Sequence, residues 1–367
     1  MQNQINQLKK TDVTIMDSLT QIVLGSTVAA AVVPARHQRC ALLAGAALGT
    51  LPDLDVIWFN LTGSDVITTV TWHRGPSHSL FVLGGLGWLL WLLLKRFNTP
   101  IRDAPKPWLI AIWLALLTHP LLDAFTVYGT QLLWPLQIPS TMWSTIYIID
   151  PLYTLPLLLG VIVAWLKGTY KKPPNTNRWH SKWTARKWLM AGLMISSAYL
   201  SWSMVAKFSV NHIATRSLEQ MGLANAPRFS TPTAFNTLLW RVIVMAPDGY
   251  YIGDRSLIAD RGAMHFNFYP SNTEVLKQLS VAPELQRLLW FTHGFVSAHT
   301  QQQGNGQQRL IISDLRMGLE PDYFFRYNVA SRDTQGNWIA APSITQMSDT
   351  HNHAVMLTWV WHRLWGI

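Results

Sequence analysis

Three short polar motifs interrupt an otherwise apolar stretch of the chain. They are LPDLD (51–55), HRGPSHS (73–79) and THPLLD (118–123). The carboxylates and imidazoles that they contribute are the oxygen and nitrogen donors that bind divalent metals. These candidate ligands are Asp53, Asp55, His73, His78, His119 and Asp123. Ionisable groups cost free energy near hydrocarbon, and those found there usually bind or relay something. The motifs therefore predict a metal site in a membrane protein.

The third motif has the spacing of a helix that presents two ligands to one ion. His119 and Asp123 are four residues apart, so on a helix both side chains project from one face. The alternative is a hydrogen-bonded His–Asp pair that only stabilises a helix bundle. Pro120 frees helical carbonyls, as is common near functional breaks in membrane helices. We favour metal ligation by both residues.

The second motif places two histidines on either side of a turn. Gly75 and Pro76 can fold His73 and His78 toward one point, which favours ligation over a loop with two interfacial histidines. Between them, Arg74 carries a planar guanidinium that suits an anionic substrate such as a phosphate. A surface cation at the membrane edge is an equally good interpretation of Arg74.

The first motif holds two aspartates whose roles the spacing leaves open. Asp53 and Asp55 would diverge on a regular helix, so they converge only if Pro52 ends the helix. One can then bind the metal or act as a general base, with Asp55 the candidate base, while the other orients a histidine. Helix capping is the alternative. Asp17, beside Ser18, is a further candidate ligand that can instead cap the first helix.

Composition indicates a membrane protein. Apolar residues make up 49% of the 367-residue chain and charged residues 13%, whereas soluble domains carry about 25% charged residues. The net charge is +10, but the basic residues of the first half lie in short connections between apolar runs. That distribution is typical of membrane flanks, and we expect no nucleic-acid partner. The single cysteine excludes an intramolecular disulfide and a cysteine-based zinc site.

Six apolar runs precede residue 207, and they predict a polytopic bundle of about four to six helices. The runs are 19–33, 41–58, 79–94, 108–125, 146–166 and 188–206. A span needs roughly 20 residues, with about 17 as a minimum. The last two runs meet this clearly, 79–94 is slightly short, and the first two, rich in small residues, can instead pack inside the bundle.

Positive charge predicts the orientation of the bundle. Lys and Arg cluster in the connections 34–40, 95–107 and 167–187, whereas 59–78 carries only Arg74 and 126–150 carries none. Basic loops stay in the cytoplasm. Six helices would therefore place all three motifs and the C-terminal part at the outer face of the membrane.

The chain divides into three parts by composition. Residues 1–15 are polar and are either disordered or extended, and the true start can be Met1 or Met16. Residues 16–206 form the membrane helical domain. Residues 207–367 hold 11 of the 19 acidic residues and no run long enough to span, which predicts a small extracytoplasmic α+β domain. Its strand candidates are 240–254 (a hairpin with a Pro-Asp-Gly turn), 266–270, 309–315 and 323–329, with helix over 272–291.

Five motifs in order resemble the YdjM-like family of inner-membrane-associated, metal-dependent hydrolases. They are MDSLTQIVLG (16–25), GTLPDLDV (49–56), HRGPSHS (73–79), LTHPLLDAFTVYGTQL (117–132) and IIDPLYTLPLL (148–158). Segments 240–251 and 312–318 also resemble the extracytoplasmic part of longer members. The resemblance implies a helical metal centre, distantly similar to that of zinc-dependent phospholipases C, and it points to the six residues of the three motifs. A histidine often stands near the family's initial Met, where this chain has Asp17-Ser18.

These observations predict a membrane-bound, metal-dependent hydrolase in the bacterial inner membrane. We expect a divalent cation, zinc before manganese or magnesium, and a phosphodiester or lipid-linked substrate at the outer face. The rival hypothesis is a non-catalytic, metal-stabilised scaffold that binds other envelope proteins. A transporter is less favoured because the polar residues cluster at one face of the bundle.

Overall fold

The computed structural model describes residues 18–167, 184–303, 306–347 and 353–367. Asp17 and the 1–15 segment lie outside them. The helices of the first half are α1 Ser18–Val32, α2 Gln38–Thr50, α3 Asp55–Thr62, α4 Val66–Trp72, α5 Leu80–Phe97, α6 Thr99–Asp103, α7 Pro105–Ala124, α8 Pro151–Lys167 and α9 Ala185–Gln220. Single 3₁₀ turns occur at Ala35–His37, Pro52–Leu54 and Pro76–His78. The expectation of a mainly helical first half is confirmed.

Within the described residues, three helices are long and apolar enough to cross a membrane: α5, α7 and α9. The segments Ala35–Thr50 and Pro52–Thr62, bent by 43°, make a fourth span if they act together. Helices α1 and α8 are apolar but shorter. The 79–94 run was expected to be slightly short, yet α5 has 18 residues.

The 146–166 run was expected to span clearly, and the helix that forms within it is shorter than the run but reaches the minimum length. Helix α8 begins only at Pro151 and has 17 residues. Its start is fixed by Asp150, whose Oδ1 accepts a hydrogen bond from the backbone N–H of Leu152 at 3.0 Å. Because a carboxylate before a proline is a strong helix-start signal, the apolar residues 146–149 remain outside the helix.

Helices α1 and α2 cross at glycines, which lets their backbones touch. A Cβ on Gly45 would overlap the carbonyl oxygen of Gly25, and one on Gly49 would lie 2.5 Å from the carbonyl oxygen of Gln21. Small residues at a helix crossing permit this approach. The contact brings Gln21 and the end of α2 toward α7, where the third motif lies.

The C-terminal part contains two four-stranded antiparallel sheets, of order β1-β2-β3-β4 and β10-β9-β6-β5, and a two-stranded β7-β8 pair. The strands are β1 Arg228–Pro232, β2 Leu239–Ala246, β3 Gly249–Ser256, β4 Asn267–Pro270, β5 Val296–Gln302, β6 Gln308–Asp314, β7 Gly318–Leu319, β8 Asp322–Tyr323, β9 Arg326–Arg332 and β10 Trp338–Gln346. The helices are α10 Thr273–Leu279, α11 Pro283–Phe291 and α12 His353–Trp365. The predicted hairpin over 240–254 is confirmed as β2–β3, and the other strand candidates fall on β4, β6, β8 and β9.

Helix α9 joins the two parts. Its 36 residues extend roughly 54 Å, longer than a membrane span requires. Its C-terminal half packs on the inner face of the first sheet, in a core that includes Ala206, Val210, Leu218, Trp240 and Val242. The first sheet therefore packs against a continuation of a bundle helix.

Candidate metal centre

Four side chains from three separate segments converge on one point. Asp53 comes from the 3₁₀ turn after α2, His78 from the turn before α5, and His119 and Asp123 from the last turns of α7. One ligand atom from each lies within 4.8 Å of all the others. His78, His119 and Asp123 are buried, and the Asp53 side chain is 22% exposed.

The spacing of the four atoms approaches that of a tetrahedral metal site. Nε2 of His78 lies 3.1 Å from Nε2 of His119, 3.3 Å from Asp53 Oδ1 and 3.2 Å from Asp123 Oδ2. Nε2 of His119 lies 3.4 Å from both carboxylate oxygens. Ligands about 2.0–2.1 Å from a zinc ion stand roughly 3.3 Å apart at the corners of a tetrahedron. Five of the six edges therefore have the length that the ion requires.

A backbone carbonyl orients His119. Its Nδ1 lies 2.5 Å from the carbonyl oxygen of Gly49, which can only accept, so Nδ1 carries the proton. In the neutral ring, Nε2 then presents a lone pair to the cluster. The α1–α2 crossing that places Gly49 thus also sets the tautomer of His119.

A serine and an aspartate orient His78 in the same way. The Ser77 hydroxyl donates to Asp55 Oδ2 at 2.6 Å, so its oxygen accepts from His78 Nδ1 at 3.0 Å. Asp55 Oδ1 lies 2.9 Å from Nδ1 of His73. Both imidazoles of the cluster consequently turn lone pairs toward each other and toward two carboxylates. Without a cation between them, one ring must be protonated to donate into the cluster.

Asp123 supplies the observation that tests whether a cation fits. Its Oδ1 accepts a hydrogen bond from Gln21 Nε2 at 2.8 Å. Its Oδ2 is fully buried and lies 3.2 Å from Nε2 of His78, 3.4 Å from Nε2 of His119 and 3.3 Å from Arg74 Nε. A carboxylate oxygen directed at two imidazole lone pairs is unfavourable unless a proton or a cation lies between them. A carboxylate oxygen of this kind beside two imidazole nitrogens fits a divalent metal.

Arg74 lies next to Asp123, on the buried side of the cluster. Its guanidinium Nε is 3.3 Å from Asp123 Oδ2, NH1 donates to Thr126 Oγ1 at 3.1 Å, and the side chain is 4% exposed. The interpretation of Arg74 as an exposed cation at the membrane edge does not fit this burial. Its φ is +62°, a left-handed conformation that a non-glycine residue adopts at a cost. The turn holds this conformation and thereby directs the guanidinium inward.

Tyr128 connects the cluster to the C-terminal sheets. Its hydroxyl donates to the Val70 carbonyl at 2.9 Å, and burial raises its pKa, so it remains a donor. Its ring centroid lies 5.1 Å from the Arg74 guanidinium and 5.1 Å from the ring of Phe291 on α11. Arg316 NH1 donates to the carbonyl of Tyr128 at 3.0 Å. The C-terminal part thus packs directly on the residues that support Arg74.

The structure separates the six motif residues into two groups. Asp53, His78, His119 and Asp123 form the cluster, whereas Asp55 and His73 pair with each other beside it. Asp17 is outside the described residues. The sequence interpretation missed Gln21 and Tyr128. Gln21 lies within the motif 16–25 and Tyr128 within the motif 117–132, but neither was singled out, because no spacing rule related them to the candidate ligands.

A model of a protein family, described as YdjM inner membrane protein, matches residues 16–210. The match covers more than half of the chain and includes every residue of the cluster. No curated protein and no solved structure matches the chain.

Proposed function

Because the chain belongs to the YdjM family of inner membrane proteins, we propose that it is a membrane-bound, metal-dependent hydrolase. The observation that carries the proposal is the convergence of four acceptor atoms in a buried cluster, five of whose six spacings are 3.1–3.4 Å. We further propose that the cluster and the C-terminal sheets face the outer side of the membrane, as the basic connections suggest.

The donor set favours a catalytic over a purely structural metal. Structural zinc sites are usually built with cysteine thiolates, whereas catalytic sites combine histidines with carboxylates. The cluster has two imidazoles and two carboxylates. Zinc suits this set best, and manganese is the next choice because of the carboxylates. A divalent cation bound there would lower the pKa of a water molecule and polarise a phosphoryl or acyl oxygen.

The chain's own residues divide the remaining tasks. Asp53 is the exposed member of the cluster, so it stands where water and substrate would enter and is the candidate to accept a proton. Asp55 contacts Ser77 and His73. We assign Asp55 to holding His73 and, through Ser77, His78 in place, and not to proton transfer. Arg74 offsets the charge of Asp123 from a buried position.

Charge and position suggest the class of substrate. Counting Asp53, Asp123 and Arg74, and setting aside the neighbouring Asp55–His73 pair, a divalent cation beside two neutral histidines would leave a charge of +1 at the cluster. Such a site favours an anion. The cluster lies at the ends of apolar helices, which fits a phosphodiester carried by a membrane lipid.

The rival is a metal-stabilised scaffold, and one observation favours it. Four protein ligands already complete a tetrahedron, as in closed structural sites, whereas catalytic zinc keeps a position for water. The two functions differ in the expected behaviour of Asp53→Ala. An enzyme would keep its metal through the other three ligands and lose turnover. A scaffold would lose thermal stability, because it depends on the closed site.

The test is metal content and hydrolysis in detergent-purified protein. We expect one or more equivalents of a divalent metal, hydrolysis of bis(nitrophenyl) phosphate or of phosphatidylglycerol, and loss of both in His119→Ala. His212→Ala, an exposed histidine on α9, is the matched control. If His119→Ala and Asp123→Ala retain the full metal content, the proposed site is wrong. Metal without turnover of either probe would favour the scaffold.

A further inference from the structure

Helix α12 carries an exposed aromatic stripe. Leu357, Trp361 and Trp365 recur every four residues and therefore lie along one helix face. Trp361 is 58% exposed and Trp365 45%, and their rings meet edge-on with centroids 5.7 Å apart. Ile367, which is 83% exposed, follows the helix. Contiguous large apolar side chains at a surface usually mark a contact with a partner or a membrane.

The face of α12 next to this stripe is fixed to the first sheet. Val360 and Leu364 are buried against Leu239, and the Ser256 hydroxyl donates to the Leu364 carbonyl at 2.6 Å. Arg363 NH2 pairs with Asp260 at 2.6 Å. The stripe is consequently held in one orientation relative to the sheet.

Contacts between β1 and α9 show which end of the sheet lies nearest the bundle. Arg228 donates to Thr215 Oγ1 at 3.0 Å, and Ser230 donates to Asn211 Oδ1 at 2.7 Å. The Ser230 carbonyl accepts from Lys207, which is closer still to the bundle end of the helix. Strand β1 therefore runs along α9 toward the bundle.

The register of the sheet places α12 at that same end. Pro232, the last residue of β1, pairs with Trp240 of β2, and neighbouring Leu239 pairs with Ser256 of β3. Leu239 and Ser256 are the residues that contact α12. In the loop between β1 and β2, the ring of Phe235 lies 6.0 Å from that of Tyr147, which just precedes α8. Helix α12 thus lies at the edge of the sheet closest to the membrane helices.

We propose that the Leu357–Trp361–Trp365 stripe inserts into the headgroup region of the bilayer. Tryptophan favours the membrane interface, and helices with an aromatic apolar face commonly lie in its plane. Trp202, on the part of α9 near the first sheet, is also exposed and is a second aromatic side chain suited to the membrane interface. The occupant follows from this position, because the bilayer surrounds the bundle on which the sheet stands. The inference does not depend on the metal cluster or on hydrolysis.

The experiment measures the depth of spin labels in the full-length protein. Trp361→Cys, Trp365→Cys and, as a control, Gln335→Cys are made in a Cys40→Ser background and reconstituted into phosphatidylcholine–phosphatidylglycerol nanodiscs. Gln335 is exposed in the turn between β9 and β10. Power saturation then compares access of membrane-soluble oxygen with access of a water-soluble nickel chelate. We expect the oxygen-to-nickel ratio to be several-fold higher at 361 and 365 than at 335.

Two outcomes would overturn the proposal. Equal ratios at all three sites would mean that the stripe faces water. Protection of 361 and 365 from both reagents would mean that a protein, such as a second copy of the chain, covers the stripe. Thermal melting of each labelled variant provides a separate check, because variants that melt like the parent protein have kept its fold.

Discussion

Ser77 links the two groups of motif residues through a single hydroxyl. It donates to Asp55 and accepts from His78. Asp55 therefore fixes the orientation of the His78 ring through Ser77, although Ser77 is not a ligand itself. Residues in this role behind a metal ligand set its tautomer and orientation, and their loss usually weakens metal binding by about 10–100-fold.

We therefore expect Ser77→Ala to reduce metal affinity by about 10–100-fold while the protein still folds. The measurement is competition for the metal with a chelator of known affinity, in detergent. Ser64→Ala is the matched control, because the Ser64 hydroxyl pairs with neighbouring Thr62, away from the cluster. An unchanged affinity in Ser77→Ala would show that His78 is not a ligand, or that it is oriented by other contacts.

Residue spacing predicted part of the cluster for a physical reason. His119 and Asp123 share a helix face, so a local rule relates them. Asp53 and Asp55 gave no such rule, since their directions depend on the backbone after Pro52, which continues as a 3₁₀ turn into α3. Only packing against the Pro76–His78 turn separates Asp53, which joins the cluster, from Asp55, which supports it.

At the scale of elements, the crossing of α1 and α2 positions two groups that contact the cluster. Gly25, Gly45 and Gly49 let the helices touch, and the crossing then supplies the Gly49 carbonyl and the Gln21 side chain. On α5, Gly84 has no heavy atom near the place of a Cβ, so it is open to the surroundings.

Alanine at these glycines should act in opposite directions. Gly45→Ala pushes α1 away from α2, and we expect a loss of thermal stability and weaker metal binding, at a cost of about 1–3 kcal/mol for overpacking. Gly84→Ala adds a better helix former in open space and should be neutral or stabilising by up to about 1 kcal/mol. Melting in detergent distinguishes the two. Equal behaviour would contradict the close crossing.

Elements were predictable where their pattern is local. The β2–β3 hairpin has β-branched and aromatic residues on both sides of a turn, and α11 starts at Pro283. Both elements can therefore be predicted from their own residues. Strand β5 is polar over its second half and β10 contains Pro342, which hides their pairing with β6 and β9. Those strands exist because a neighbouring strand supplies their hydrogen bonds.

At the scale of the whole molecule, the C-terminal sheets are held against the loop that follows α7. Ser140 in this loop lies 2.9 Å from Nε2 of His293, and Arg316 donates to the carbonyl of Tyr128. Burial, followed by the positive charge of Arg316, lowers the pKa of His293, with Asp314 acting in the opposite sense. Both effects favour the neutral form of the His293 ring in the folded protein.

Docking of the two parts should consequently depend on pH. A histidine whose folded pKa is below its unfolded value near 6.5 contributes full stability above about pH 6.5, and that stability is lost as pH falls through the folded value. We expect melting temperatures between about pH 8 and pH 5 to fall less steeply in His293→Gln than in the parent protein. His212→Gln, at an exposed site, should keep the parent slope. An unchanged slope in His293→Gln would exclude this contact as the cause.

The distribution of basic residues predicts an orientation for the whole chain, and this prediction is open to a direct test. The connection between α5 and α7 carries four basic residues and one acid over 95–107, whereas the cluster and the sheets lie beyond the other ends of these helices. Since basic connections stay in the cytoplasm, Arg102 should face inward and Gln335 outward. In a Cys40→Ser background, a membrane-impermeant maleimide should label Gln335→Cys in intact spheroplasts, and Arg102→Cys only after lysis. The reverse pattern would place the metal cluster on the cytoplasmic side, where an extracytoplasmic lipid phosphodiester could not be its substrate.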